Sequence, residues 1–405
     1  MICARHLWPA LASLALLAAI DVAAQELPFP SWVRSVEVVR AGATIRARPT
    51  TEAARRGTVR VGTRLPMQAR VLGEGCPGGE WIRVGEEAFI CETLVRYSPA
   101  APGGDDVSAL PEGALTPRMH AFVRTDGTWA YARPADYFRD QFVESLGRGF
   151  GLAIVAREEV HGVELARTLS GLWVPAGELR FANPSDFAGV AIDEARPLAS
   201  VAWVLRENAA LRDRPGGRIV ERGSRLMALS VAEERGEWLR LEDGRFIARR
   251  DVARPRASSV PSEVTGDARW IDVDTRTQTL VAYAGARPVY ATLVSTGLGE
   301  HATPAGTFRI WVKLAEDDMD DLEREDVVEN YAIQAVPWVQ YFDGSIALHA
   351  AFWHEAFGRP RSHGCVNLAA RDARWVFEFT APALPLGWDA ILPTERSPGS
   401  VVRVR

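Results

Sequence analysis

Short runs in which apolar and polar residues alternate, separated by glycine and proline, dominate the sequence from about residue 30 onward. Alternation with a period of two places every second side chain on one face of a β-strand, whereas an amphipathic helix needs apolar residues three and four positions apart. The stretch from Asp267 to Phe308 in particular has no long amphipathic run of the helical kind. The pattern predicts a mainly β protein, with small barrels first and a larger β-rich domain near the C-terminal end.

One set of these runs occurs twice. TIRARP, RVGTRL and GEWIRVGEEAFIC return downstream as ALRDRP, ERGSRL and GEWLRLEDGRFIA. Both copies resemble bacterial SH3-like modules, which in exported wall enzymes commonly accompany a catalytic domain and are expected to contact peptidoglycan. Looser echoes at residues 131–134 and 171–174 predict a third, diverged module with an inserted helical piece around Asp136 to Leu146.

Stretches rich in proline, glycine and serine mark candidate linkers between these units. The resulting division is a signal peptide at 1–24, an SH3-like module at 30–97, a linker at 98–117, a diverged SH3-like module at 118–198, an SH3-like module at 199–254, a linker at 255–267, the catalytic domain at 268–393 and a tail at 394–405.

The first residues have the composition of a secretory signal peptide. Arg5 precedes an apolar stretch from Leu7 to Ile20, and small residues ending at Ala24 offer a cleavage site. The apolar stretch is shorter than the ~20 residues that a membrane span needs, although an anchor helix is the alternative interpretation. We therefore expect a mature chain without a stable membrane span, located in the periplasm or cell envelope.

Cysteine usage and charge narrow the function classes. Cys3 would leave with the signal peptide, and Cys76 and Cys91, 15 positions apart, form the natural disulfide pair, which leaves Cys365 as a free thiol. A free thiol in an oxidising compartment indicates a catalytic role for this cysteine. The alternative is a buried, unreactive cysteine. The net charge of -5 excludes the basic footprint of a nucleic-acid-binding protein.

The segment SHGCVN at residues 362–367 carries the candidate chemistry. It follows an apolar strand-like run, Ile346 to Leu348, that ends at His349, 16 positions before Cys365. This arrangement resembles the L,D-transpeptidase catalytic domain family (YkuD-type), whose signature is an upstream histidine and then Ser/Thr-His-Gly-Cys, one further residue, and Asn or Arg. The resemblance extends over roughly Trp270 to Trp388.

The resemblance implies a role for each residue of the site. Cys365 is the nucleophile and His349 its base, because a thiol needs a nearby imidazole to take its proton. The family's base is oriented by a backbone carbonyl, here that of Ala350, and the oxyanion hole falls on the amides of Gly364 and Cys365. The other expected residues are Ser362 and Asn367 as loop pins, His363 as a structural or substrate-facing residue, and Trp353, His354 and Tyr341 as pocket walls.

No cofactor is expected. The spacing of His349, His354, His363 and Cys365 matches no common zinc pattern. An acidic block from Glu316 to Glu329 is interpreted as a solvated helix or loop, with calcium binding as the weaker alternative.

The sequence thus predicts an exported L,D-transpeptidase that acts on peptidoglycan tetrapeptide stems through a cysteine thioester. It would release D-Ala and join two third residues or attach another amine acceptor, including a protein anchored to the wall. The alternatives are an L,D-carboxypeptidase, a cell-wall endopeptidase and a non-catalytic peptidoglycan-binding protein. Deletion of residues 25–254 is expected to leave activity on small soluble stems largely intact.

Overall fold

The computed structural model describes residues 26–107, 109–320 and 332–405. Strands dominate these residues, which confirms the mainly β prediction. In these ranges no helix combines the length and the apolar character needed to cross a membrane. The predicted signal peptide and the acidic residues 321–329 lie outside the described residues.

The first unit surrounds an apolar core that includes Val36, Ile45 and Ile82. Cys76 and Cys91 are joined by a disulfide beside the buried Trp81. Its strands are β1 Glu26–Leu27, β2 Ser35–Val38, β3 Ala43–Arg46, β4 Arg55–Val59, β5 Arg64–Leu65, β6 Ala69–Leu72, β7 Glu80–Gly85, β8 Ala88–Cys91 and β9 Val95–Ser98.

The second unit contains the short helix α1, Pro134–Tyr137, where a longer helical insertion was predicted. That prediction was wrong beyond one turn, because Asp140 adopts a left-handed φ of 54° and the following residues pair with β11. The strands are β10 Met119–Val123, β11 Thr128–Ala130, β12 Glu144–Leu146, β13 Gly151–Val160, β14 Val163–Thr168, β15 Trp173–Pro175 and β16 Leu179–Phe181.

A two-residue strand, β17 Val190–Ala191, precedes the third unit. The third unit has its own core, which includes Leu211, Leu239 and Ile247. Its strands are β18 Val201–Val204, β19 Ala209–Arg212, β20 Ile219–Gly223, β21 Ala228–Arg235, β22 Trp238–Leu241, β23 Phe246–Ala248 and β24 Val252–Ala253.

All three units end in the same order of elements. A strand, a 3₁₀ turn and a second strand follow one another, with the turns at Glu92–Leu94, Ala176–Glu178 and Arg249–Asp251. This shared ending agrees with the sequence repeat, and the SH3-like identity of the units stays a prediction.

The C-terminal domain packs two sheets around one core. Its elements are β25 Arg269–Asp274, β26 Thr279–Ala284, β27 Arg287–Leu293, β28 Gly306–Arg309, β29 Val312–Asp320, β30 Ala332–Asp343, β31 Ile346–Ala350, β32 Val366–Leu368, α2 Ala370–Phe379, β33 Trp388–Ile391 and β34 Val401–Val404. One sheet has the order β17-β27-β26-β25-β34-β28, and the other contains β33-β29-β30-β31-β32. The core includes Ile271, Trp338, Leu348 and Val402, with α2 contributing Val376.

Two sequence predictions fail in this domain. The supposed tail at 394–405 contains β34, which pairs in parallel with β25 and antiparallel with β28, because its alternate residues Val402 and Val404 fill the core. The acidic residues from Glu316 to Asp320 continue β29 and pair with β30, so they form neither a helix nor a loop. Arg118 forms an ion pair with Glu316, and the Tyr341 hydroxyl donates a hydrogen bond to Asp317, so two of these carboxylates have partners within the sheet.

Backbone pairing joins the first and second units to the C-terminal domain, whereas the third unit has a separate sheet. Strand β4 of the first unit pairs with β33, and β13 of the second unit meets β30 at Gly151 and Ile333. The predicted linker at 98–117 places Leu110 and Leu115 against the C-terminal core. Strand β17, which was assigned to the diverged module, pairs with β27 instead.

Candidate active site

Cys365 and His349 line one cavity of about 730 Å³. Strands β31 and β32 run in parallel with His349 opposite Asn367, and Cys365 immediately precedes β32. Side chains alternate along a strand, so Cys365, two positions before Asn367, is on the same face as His349. Chain segments 16 residues apart are thus brought together by one pair of strands.

His349 is buried and oriented by the main chain. Its Nδ1 lies 3.0 Å from the carbonyl oxygen of Ala350, which accepts the Nδ1–H hydrogen bond. The lone pair is then on Nε2, where a base would need it. Burial lowers the pKa of His349 to about 4, against a weaker opposing effect of the Ala350 hydrogen bond. The imidazole is therefore neutral and able to accept a proton at neutral pH.

Cys365 is a free thiol that is partly accessible from the cavity. Burial raises the pKa of its thiol to about 11, against a weaker opposing effect of a hydrogen bond with the Ala347 backbone, and its Sγ lies 3.8 Å from the carbonyl oxygen of Ser345. The resting pair is therefore a protonated thiol beside a neutral imidazole. The thiol proton must move to His349 as the sulfur attacks.

The turn before Cys365 is held by side-chain hydroxyls. Gly364 has a φ of 123°, a conformation that favours glycine. Ser362 Oγ donates to the carbonyl of Cys365 and accepts from the Gly364 amide at 3.2 Å, while Thr303 Oγ1 donates to the Gly364 carbonyl at 2.7 Å. The Gly364 amide, which was expected in the oxyanion hole, is thus bonded to Ser362.

His354 binds Asn367 rather than lining the cavity. Its Nδ1 accepts from the Ala356 amide at 3.1 Å, and burial, followed by the charge of Arg361, lowers the pKa of His354 to about 4. A neutral ring that accepts at Nδ1 carries its proton on Nε2, which lies 3.0 Å from the Asn367 side-chain amide. The amide atom at this distance is Nδ2, and because two N–H groups cannot bond, we assign the amide in the flipped orientation, in which Nε2–H donates to the amide oxygen. In that orientation the NH₂ group of Asn367 occupies the other amide position, which is buried and has no hydrogen-bond partner among the described residues.

The remaining predicted residues line the cavity. Trp353 lies nearly parallel to the His349 ring, with centroids 5.8 Å apart, and the Tyr341 hydroxyl donates to Asp317 at 2.7 Å. His363 lies at the cavity beside His301, 5.1 Å between ring centroids. Within the described residues, no group of three or more His, Cys, Asp or Glu side chains could hold a metal ion.

Sequence reasoning missed several cavity residues. Phe122 and Gly149 come from the second unit, more than 200 positions before Cys365, and Asp318 and Arg361 add opposite charges to the wall. No local pattern marks Phe122 or Gly149, because only the pairing of β13 with β30 brings their unit to this cavity. Thr303 did have a signal, since it begins the TPAGTF segment that belongs to the motif-bearing region.

Comparison with known proteins gives a family match to the C-terminal domain. Residues 268–404 match the YkuD family model, described as the L,D-transpeptidase catalytic domain. A similar protein is YciB of Bacillus subtilis (strain 168), which is named as a provisional L,D-transpeptidase. It is 28% identical over 142 residues, and the match covers 32% of this chain and 69% of YciB.

Two solved structures are also similar. An L,D-transpeptidase from Mycobacterium smegmatis is 17% identical, with a TM-score of 0.29, and the match covers 62% of this chain and 98% of that one. A mutant of the Enterococcus faecium L,D-transpeptidase is 19% identical, with a TM-score of 0.27 and coverage of 34% of this chain. The match spans 50% of that second structure's chain.

Proposed function

We propose, on the premise that residues 268–404 are an L,D-transpeptidase catalytic domain, that the protein is an exported enzyme acting on peptidoglycan tetrapeptide stems through a thioester on Cys365. The observation that carries this proposal is the pair formed by Cys365 and His349 in one cavity, with Nδ1 of His349 bonded to Ala350 and Nε2 left as a proton acceptor. The proposed location is the periplasm or cell envelope.

The first half-reaction acylates the cysteine. His349 Nε2 takes the thiol proton as Sγ bonds to the carbonyl carbon of the third stem residue. The tetrahedral intermediate places negative charge on the former carbonyl oxygen, for which the Cys365 amide is the candidate donor. Collapse of the intermediate breaks the peptide bond, and the D-Ala nitrogen leaves with the proton from the imidazolium.

The second half-reaction transfers the acyl group. An acceptor amine attacks the thioester carbonyl, His349 takes its proton, and the thiolate leaves and is reprotonated. A second stem as acceptor gives a cross-link between third residues, and a protein lysine gives an anchored protein. Water as acceptor gives the carboxypeptidase reaction.

The deciding experiment incubates the mature protein with disaccharide tetrapeptide and follows the products by mass. A transpeptidase releases D-Ala and forms a dimer, or exchanges the terminal residue when a D-amino acid is added. Cys365→Ala and His349→Ala should each lose turnover by at least about a thousandfold while keeping the native circular dichroism spectrum, because the two residues act as one unit. The family resemblance also implies that a carbapenem adds its mass once, at Cys365.

A wild-type protein with a reduced, accessible Cys365 that releases no D-Ala and forms no carbapenem adduct would overturn the proposal. Cleavage deeper in the stem would instead identify an endopeptidase, and binding to sacculi without turnover would identify a wall-binding protein. Full activity of Cys365→Ala would eliminate the thioester.

The pKa directions predict how the resting thiol responds to pH. Because the pKa of Cys365 is raised to about 11, the thiolate fraction grows about tenfold per pH unit below that value. Alkylation of Cys365 by iodoacetamide should therefore accelerate about a hundredfold between about pH 7 and about pH 9. A fast rate that stays constant across this range would show a resting thiolate–imidazolium pair instead.

A further inference from the structure

The loop from Trp353 to Arg361, which we name the active-site loop, is held from outside the C-terminal domain. The guanidinium of Arg225, in the third unit, donates to the carbonyls of Glu355 and Phe357. In the opposite direction, Arg359 of the loop donates to the carbonyl of Leu205 at 3.0 Å. The third unit and the loop thus bind each other through main-chain carbonyls on both sides.

Apolar packing supports these hydrogen bonds. Phe357 and Trp203 are both buried in one cluster, and Leu205 and Leu226 pack against it. A Cβ placed on Gly358 would lie 2.5 Å from a methyl group of Leu205, so the loop backbone approaches the third unit as closely as glycine allows. The third unit therefore helps to set the position of the loop, together with Ser295 Oγ, which donates to the carbonyls of Ala356 and Arg359 from within the C-terminal domain.

The same loop reaches the catalytic residues at its other end. Trp353 stacks on His349, and His354 donates to the amide of Asn367, which lies opposite His349 in the strand register. A shift of the loop would move both contacts. Arg225 does not line the cavity, but it contacts the active-site loop, and the loop in turn contacts His349 and Asn367 at the cavity.

We propose that Arg225 is a positioning residue for the active-site loop, so that the third unit sets the geometry around His349 and Asn367. Only the expected change in kinetics rests on the proposed function; the effect of Arg225 on the position of the loop does not. Arg225 suits this task because a guanidinium donates several hydrogen bonds in a fixed plane and can bind two carbonyls at once.

Loss of the Arg225 side chain should leave the third unit folded. Its backbone amide donates to Glu207 Oε2 at 3.0 Å, a bond that alanine retains, and the unit's own core does not include this residue. Arg222 provides a matched control, because it is exposed and its guanidinium donates to the Asn208 carbonyl inside the same unit.

The test compares Arg225→Ala, Arg225→Lys and Arg222→Ala in the full mature chain. Arg225→Ala should lower kcat on tetrapeptide about tenfold or more with a smaller change in KM, since displaced active-site groups cost rate even at unchanged affinity. Arg225→Lys should recover part of the loss, because one ammonium cannot reproduce the planar fork. Arg222→Ala should match the wild type.

Two readouts do not require turnover. Amide hydrogen exchange across residues 353–361 should accelerate in Arg225→Ala and stay unchanged in Arg222→Ala, and the alkylation rate of Cys365 should change in the first variant alone. If the wild type lacks activity on tetrapeptide, the proposed function fails, while these readouts still decide the role of Arg225. Wild-type kinetics together with wild-type exchange in Arg225→Ala would overturn the inference.

Discussion

The first and third units, which share a sequence repeat, meet the C-terminal domain in different ways. The first unit adds β4 to the edge strand β33 and takes Trp388 and Ile391 into its own apolar core. The third unit keeps a sheet and a core of its own, contributes Trp203 to a second apolar cluster that it shares with the C-terminal domain, and binds the active-site loop through Arg225.

The C-terminal domain can depend on a neighbouring unit either for its stability or for the geometry of its active site. A shared core and backbone pairing link the stabilities of two regions, because neither can unfold without exposing apolar surface of the other. Side-chain hydrogen bonds to a loop contribute less stability but fix the geometry of the loop. Loss of the first unit's contacts should therefore mainly lower stability, whereas loss of the Arg225 hydrogen bonds should lower catalysis more than stability.

The largest expected effect follows from deleting residues 25–254. The sequence alone suggested that the remaining domain keeps its activity on soluble stems. The structure now predicts loss of a folded product, since the deletion exposes Trp388 and Ile391, leaves β33 without its partner and removes β17 from the sheet. Circular dichroism and thermal melting of the purified fragment measure this. A soluble, cooperatively melting fragment with full activity would show that the units are independent.

The next effect concerns Trp388, which lies in the apolar core of the first unit. Its ring lies against Gly57, where a Cβ would be 2.7 Å from it. Trp388→Ala should reduce the free energy of unfolding by about 3–5 kcal/mol, as expected for a buried aromatic side chain. At a temperature where the variant is folded, kcat should stay at the wild-type value.

Leu386→Ala is the control for this substitution, because Leu386 is exposed two positions away. Its unfolding free energy should change by less than about 0.5 kcal/mol. A Trp388→Ala protein with unchanged stability and reduced kcat would reverse the roles assigned to the two units.

A smaller effect is expected from the disulfide of the first unit. Replacing Cys76 and Cys91 by serine removes a cross-link over 15 positions, worth about 3 kcal/mol on chain-entropy grounds. Denaturant unfolding of the double variant measures the loss, and kcat should remain unchanged. Mass spectrometry of the unreduced wild type should find one alkylatable thiol, at Cys365, and a disulfide that includes Cys365 would contradict this assignment.

The sequence predicted those features that depend on local pattern. Alternation predicted the β-rich character of the stretch from Asp267 to Phe308, where β25, β26 and β27 form, and the SHGCVN motif located the cavity around Cys365. The repeat located the first and third units. In each case the signal lies within a few residues of the structure it specifies, because strand faces and tight turns are local properties of the chain.

Features that depend on long-range contact were missed. The VVRV segment near the C-terminal end resembles many short strands, and only its burial beside β25 makes it central. Phe122 reaches the cavity, and Arg225 the active-site loop, through packing between units distant in sequence. Single-sequence patterns do not encode which surfaces meet, so the integration of the units with the C-terminal domain required the structure.

The smallest predicted effect tests one contact of the second unit, which also packs Phe122 against Ile333 and Phe352 of the C-terminal domain. Its sheet contact with β30 is the single pair Gly151 and Ile333, and beside it the Arg118 guanidinium Nε lies 2.9 Å from each carboxylate oxygen of Glu316. Both groups are partly solvated, so the ion pair should contribute up to about 1 kcal/mol and weaken at high salt. A double-mutant cycle with Arg118→Ala and Glu316→Gln, measured by denaturant unfolding at two salt concentrations, isolates this term. A coupling that is several times larger and insensitive to salt would contradict the assignment of a partly solvated, screened ion pair to Arg118 and Glu316.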